Sequence, residues 1–334
     1  MSIPSLQSAE RNDDMYFLKR LLFLIPLILV ITFLAFLLVK IAPGNPFDTE
    51  RAKASPEIER ALKARYHLDE PFLKQYLRYL GLCWEKDAEG QWHWAKGGLI
   101  KGDLGLSTKY RNHTVNDIVR QGLPVSLTLG LLAFLFAQGL GIPLGFFTAM
   151  RRGQWSDYAG SFFAVLAVCI PGFVVAPMLI MFVAIKWRIF PAALWETPWH
   201  AILPSIALGL YFAGRISRLM REGMSNVLHE GFITTARAKG CSEMGVVFKH
   251  ALRIAILPVV SYSGPLLADL LTGSFVVESI FNIPGIGVFM VNSSLNKDHL
   301  MTMGLVLLYA VLLLVMNLIV DFSYTLLDRR VKYE

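Results

Sequence analysis

The chain has 334 residues, 54% of them hydrophobic and only 17% charged, with a mean hydropathy of +0.50. Soluble domains average roughly 45–50% and about 25%, so the surplus apolar residues face something other than water and an ordinary cytosolic enzyme is excluded. The net charge of +7 does not point to nucleic acid, because the basic residues sit beside apolar runs and not on one soluble face. Cys83, Cys169 and Cys241 are widely spaced and form no C-x-x-C pair, which excludes a disulfide framework and a zinc ribbon.

The first apolar run, 21–39, follows Lys19 and Arg20 and is uncharged. It matches the ~20 residues needed to cross ~30 Å of hydrocarbon. A signal peptide has an apolar core of only about 7–15 residues and a small-residue cleavage site. This run ends instead in Lys40-Ile41-Ala42-Pro43-Gly44, so it reads as a retained helix. Further runs at 125–149, 158–185, 201–220, 257–280 and 300–322 bring the total to six transmembrane helices. Pro143, Pro171, Pro177, Pro204 and Pro265 lie in or near them, as membrane bundles tolerate.

Lys19, Arg20, Arg151, Arg152, Arg218, Arg221, Arg237, Lys239, Lys249, Arg253, Arg329, Arg330 and Lys332 then fall on one side. The opposite short loops hold only Lys186, Arg188 and Lys297. The positive-inside bias places both termini in the cytoplasm and Cys83, Cys169 and Cys241 in three different compartments. The chain divides into a tail and first helix (1–42), a folded external segment (43–124), a five-helix core (125–323) with a cytoplasmic loop at 222–256, and a cytoplasmic tail (324–334).

In the external segment, Ser55-Pro56-Glu57 reads as a helix start, with Ile58, Leu62 and Tyr66 on one face. A second helix begins near Asp69-Glu70-Pro71 and aligns Phe72, Tyr76 and Leu80. Trp84 to Trp94 reads as a hairpin around Gly90, its Trp84, Trp92 and Trp94 suited to the membrane interface.

The loop at 222–256 differs in composition from every other loop. A short helix ends at Lys239, with Gly240 suited to a left-handed stop, and Ser242 caps the next helix with Glu243 in its first turn. Eight to ten residues are too few for a helix stable alone in water, so this one must dock. Ala236 and Ala238 permit close approach, while Arg237 and Lys239 offer charge to a partner.

Thr235-Ala236-Arg237-Ala238-Lys239-Gly240, followed by Leu257-Pro258 at the start of a transmembrane run, resembles the coupling-loop signature of ATP-binding-cassette importer permeases. The resemblance extends over nearly the whole chain to the first permease subunit of the oligopeptide/dipeptide branch. It is carried by Ala42-Pro43-Gly44-Asn45-Pro46, Ala64 to Asp69, Gly102-Asp103-Leu104-Gly105 with Ser107, Leu123-Pro124-Val125-Ser126-Leu127, Gly273 to Glu278 and Pro284 to Gly287. Two features depart from the family: the stretch 81–101 is longer, and Asp328-Arg329-Arg330 stands where Asp-Pro is common.

The resemblance implies an all-α, type I importer fold with an external insertion between helices 1 and 2, in a bacterial inner membrane. It implies that residues 229–245, including Thr235 to Gly240 and Glu243, sit in a groove of a cytoplasmic ATPase. It also implies a fifth span lining the path with a second, homologous permease, two ATP-binding subunits, an external substrate-binding protein and a peptide substrate. Nickel chelates, glycosides and antibiotic peptides are carried by the same branch.

No G-x-x-x-x-G-K-[ST] occurs, so ATP chemistry belongs to another subunit. His229-Glu230 lacks the second histidine of a zinc protease motif, Ile233 standing in its place, and no cofactor or metal is expected. Asp269 and Glu278, in the fifth run, are candidates for the translocation path; the alternatives are a helix–helix hydrogen bond and a contact with the 284–287 turn. Arg215, Arg218 and Arg221 read as membrane-surface anchors or as support for the loop. The alternative, a stand-alone channel or membrane enzyme, would need a self-sufficient pore or a catalytic constellation; the sequence shows no such constellation, and a docking loop has no purpose in a channel.

Overall fold

The computed structural model describes residues 6–41, 57, 60, 67, 69–86, 92–94, 97–107, 109, 114–271 and 275–327, without the side chains of 6–21, 85, 86, 92, 93 and 320–327. The helix start at 55–56, with Ile58, Leu62 and Tyr66, lies outside them. The chain divides into two compact units, residues 1–119 with 292–314 and residues 120–291 with 315–334.

In the first unit, helix α1 (Leu6–Ile41) exposes Leu22, Phe23, Ile25 and Leu38, the lipid-facing surface expected of a span. Helix α2 (Phe72–Leu80) starts one residue later than the sequence suggests, with Pro71 as its cap. Phe36, Tyr76, Leu80 and Met303 form the core, and the hydroxyls of Thr32 and Tyr76 meet at 3.1 Å. Strands β1 (Trp84–Lys86) and β2 (Trp92–Trp94) pair antiparallel with Trp84 opposite Trp94, their rings 5.1 Å apart, as the hairpin reading requires. Buried Asp298 accepts a hydrogen bond from the Met301 N–H at 3.2 Å, capping helix α12 (His299–Leu327). The Ser107 hydroxyl donates to the same carboxylate at 2.5 Å.

Glu70 anchors α2 through Lys74 and Arg78, each nitrogen 2.9 Å from its carboxylate. Burial alone raises the Glu70 pKa, but hydrogen bonds from Arg78 and Lys74 outweigh it and hold the group below its ordinary value of 4.5. A lowered folded-state pKa gives stability that is present above the ordinary value and lost as pH falls through the folded one. A lower amide protection factor in α2, with the slower intrinsic exchange of acid solution divided out, is therefore expected on acidification below pH 4.5, and much less so in Glu70→Gln, as hydrogen-exchange mass spectrometry reads.

In the second unit, helix α3 (Val115–Met150) runs from the boundary with the first and begins ten residues before the apolar run at 125. The third run is not one rod. Helices α4 (Trp155–Cys169) and α5 (Gly172–Lys186) meet at 103° across Ile170-Pro171, because proline removes a donor and clashes with the preceding turn. Helix α6 (Ile202–Val227) is long enough to span but carries Arg215, Arg218, Arg221 and Glu222 near one end. After α7 (Gly231–Ala238) come α8 (Glu243–Ala255) and α9 (Leu257–Leu271), bent by 44° next to Pro258. Helices α10 (Phe275–Ile280) and α11 (Ile286–Leu295) follow; α11 is an apolar helix where the sequence suggested only a turn.

By length and composition, α1, α3 and α12 qualify as spans, and each bent pair adds one more. Helix α6 covers the run at 201–220 but is not among these five, its charged residues lowering its hydropathy. Close backbone approach knits α3, α4 and α6 together: a Cβ on Gly145 would lie 2.3 Å from the Ser217 carbonyl oxygen, and one on Gly214 2.5 Å from that of Ala164. Leu266, Leu270, Ile216, Met220 and Met224 fill the apolar core beside these contacts.

Candidate functional site: a docking arm and a polar stripe

The C-terminal end of α6 turns sharply at Leu228–Glu230, and the His229 ring holds the turn. Its Nδ1 lies 2.6 Å from the Ser225 carbonyl oxygen, which can only accept, so Nδ1 carries the proton. Glu230, in extended conformation, then starts α7. The helix stops after two turns because Gly240 adopts φ +80°, which a side chain would strain. The Gly240 N–H donates to the Arg237 carbonyl at 2.9 Å and the Cys241 N–H to that of Ala236 at 3.3 Å, the paired bonds of a Schellman stop. The Ser242 hydroxyl accepts from the Gly245 N–H at 3.3 Å and caps α8, as its sequence position implies.

One face of α7 is buried within this chain. Ile233 and Ala236 (8% exposed) pack with Met220, Met224 and Val227 of α6 and with Val246, Val247 and Ala251 of α8. The close approach that the sequence assigned to Ala236 is thus made to its own bundle. Thr235, Arg237, Ala238, Lys239 and Gly240 remain exposed, as do Glu243, Met244 and Phe248 on α8. Arg237 forms a two-pronged ion pair with Glu243, Nε to Oε1 at 2.9 Å and Nη2 to Oε2 at 3.3 Å, which spans the turn between α7 and α8. Both partners are largely solvated, so the pair sets geometry more than stability. The result is a preformed arm with a charged and apolar outer face.

The two acidic residues of the fifth run separate. Glu278 is fully buried, and its Oε2 accepts from the Gly287 N–H at 2.7 Å. Ser126 hydrogen-bonds the same carboxylate while accepting from the Ile286 N–H at 3.0 Å. A Cβ at Gly285 would lie 2.3 Å from Glu278 Oε2. Glu278 therefore fastens the 284–287 turn to α3. Asp269 is on the exposed side of α9, one to two helical turns beyond Tyr262 and Ser263. The Arg215 guanidinium lies 5.2 Å above the Tyr262 ring, and the Gln138 amide donates to Ser263 at 2.5 Å. These residues draw a polar stripe through apolar helices, where polar groups are costly unless they face a cavity or a partner.

The three arginines of α6 also separate. Arg215 covers Tyr262, Arg218 is exposed, and Arg221 binds Asp157 at the start of α4, with Nε to Oδ1 at 2.7 Å and Nη2 to Oδ2 at 2.9 Å. Arg221 is thus an internal partner and not a surface anchor. Sequence reasoning missed Asp157, Gln138, Tyr262 and Ser263. An acid in the first turn of an apolar helix was a signal for the first.

Residues 141–333 match the model of the family described as "Binding-protein-dependent transport system inner membrane component". The chain belongs to this family. The permease is 39% identical over 320 residues to the oligopeptide transport system permease protein OppB of Haemophilus influenzae, covering 95% of this chain and 99% of the relative. It is 41% identical over 317 residues to the dipeptide transport system permease protein DppB of Bacillus subtilis, covering 95% and 97%. A chain of the inward-facing MetNI methionine ABC transporter shares its fold at a TM-score of 0.53 and 19% identity, covering 64% of this permease and 97% of that chain.

The permease is accordingly an inner-membrane subunit of an ATP-binding-cassette importer with the type I fold. It is a transport component.

Proposed function

We propose that the permease forms half of a heterodimeric pore that imports short peptides, driven by two ATP-binding subunits and fed by an external binding protein. The observation that carries this reading is the docking arm. Helix α7 is seated by Ile233 and Ala236, yet exposes Thr235, Arg237 and Ala238, with Lys239 and Gly240 of the following turn and Glu243 of α8 exposed beside them. A two-turn helix held this way is suited to lie in a groove of a soluble subunit and pass its movement to the membrane helices. The basic residues near this end of α6 support a cytoplasmic arm, and with it cytoplasmic termini.

Peptide as the substrate rests on the oligopeptide and dipeptide transport of the two relatives, together with a stripe whose charged and hydrogen-bonding groups suit a zwitterion. Asp269 and Arg215 supply opposite charges, and Tyr262, Ser263 and Gln138 supply neutral polar groups. Glu278 has no part in the path in this reading; it holds the turn that shapes the end of the fifth span.

Purification in mild detergent with identification of co-purifying chains tests the reading, followed by ATPase assays with and without binding protein and peptide. Two ATP-binding subunits, a second permease and peptide-stimulated hydrolysis are the expected result. A lone chain or homo-oligomer without ATPase refutes it. Within that complex, Asp269→Asn is expected to lower uptake of cationic peptides more than that of neutral ones. Equal uptake of both classes would remove Asp269 from the path.

A further inference from the structure

The Asp157 carboxylate is only 2% exposed, and four donors converge on it. Arg221 supplies two, the Gly153 N–H reaches Oδ2 at 3.0 Å, and the Ser161 hydroxyl reaches Oδ1 at 3.2 Å. A buried carboxylate needs such a set to offset its desolvation, and two-pronged arginine pairing fixes orientation as well as distance. A second tie lies beside it. Arg152, in the same loop, donates to the hydroxyl of buried Ser225, whose carbonyl holds the His229 ring at the entry to α7.

The loop at 151–154 and the start of α4 are therefore fastened at two points to the last two turns of α6, the stem that carries the docking arm. The arm itself is welded to that stem through Ile233 and Ala236. Apolar packing alone would let α4 slide along α6 during a conformational change. A forked ion pair with every acceptor site filled does not allow sliding without breaking.

We infer that Asp157 is a positioning residue for energy coupling: its clasp on Arg221 passes displacement of α7 to the bent α4–α5 segment, so that ATPase closure moves the third span together with the fourth. This inference rests on the docking-arm reading and adds to it a specific route into the membrane. Arg221, with its side chain 35% exposed, can lose its charge without burying a new cavity, whereas Asp157→Asn keeps the shape and removes the charge.

The test uses the complete importer reconstituted in lipid vesicles, with uptake and ATP hydrolysis measured on the same preparation. Both Asp157→Asn and Arg221→Gln are expected to lower uptake per ATP hydrolysed by about tenfold, a typical size for coupling between sites. The double variant should be no worse than either single one, because the two residues act as one clasp. Variants that reduce the yield of assembled complex while leaving uptake per ATP at the wild-type value overturn the inference, since the clasp is then only structural. Ala238→Trp, on the outer face of α7, separates the two levels. If it uncouples the complex while the clasp variants do not, the clasp inference alone fails. If it changes neither assembly nor uptake per ATP, the docking-arm reading itself fails.

Discussion

Ala236→Trp and Ala238→Trp are expected to damage the importer in different ways, although the two alanines are only two residues apart. Ala236 is wedged among Met220, Met224, Val246 and Ala251. A side chain of tryptophan's size cannot enter without unseating α7, at a cost at or above the roughly 3 kcal/mol upper end of ordinary overpacking. An eight-residue helix has no independent stability to resist this. Ala236→Trp should therefore expose the arm, read as rapid proteolysis within 230–250 in the isolated permease. Ala238→Trp leaves the isolated chain as protease-resistant as wild type, because the residue is already exposed. Its effect should appear only with the ATP-binding subunits present, as lost co-purification. Equal protease resistance of the two variants would contradict the assignment of faces.

The second large effect is expected at Gly223. A Cβ there would lie 2.3 Å from the Ala255 carbonyl oxygen and 3.2 Å from its carbon, both backbone atoms of α8 that cannot rotate away. Gly223→Leu must push α8 from α6 and open the cluster that seats Ile233. Loss of most correctly assembled permease from the membrane fraction is expected, with Gly223→Ala milder. Gly139→Leu is the control, because nothing lies within 4 Å of the position a Cβ would take there. Equal yields of Gly223→Leu and Gly139→Leu would show that α6 and α8 are not packed as described.

Much of this arrangement was legible in the sequence for identifiable physical reasons. Apolar runs report spans because length against the bilayer is a one-dimensional property. Gly240 and Ser242 report the stop and restart of the arm because capping is local chemistry. The break at Ile170-Pro171 was harder, since proline inside an apolar run signals anything from a small kink to a corner of 103°. Helix α11 was hidden by its glycine-rich start at Pro284-Gly285-Ile286-Gly287, which reads as a turn until Glu278 is seen to hold it. The direction of Ala236 depends on packing against both α6 and α8, and Arg221 finds its partner 64 residues away, both beyond any local pattern. Spacing alone could therefore group Arg215, Arg218 and Arg221, although the three have separate surroundings.

If the exposed face of α7 docks on an ATP-binding subunit, crosslinking from a single position on that face reads the contact. Cys241 is exposed beside the arm, so the work begins from Cys241→Ser. Cysteine is then introduced at Ala238, or at exposed Ile100 of the first unit as a control, and a short thiol-to-amine reagent is applied to native membranes. A conjugate between Ala238→Cys and an ATP-binding subunit is expected, suppressed by locking the nucleotide state, and none from Ile100→Cys. Labelling of Ala238→Cys by a membrane-impermeant thiol reagent from the external face, without any conjugate to an ATP-binding subunit, would contradict it.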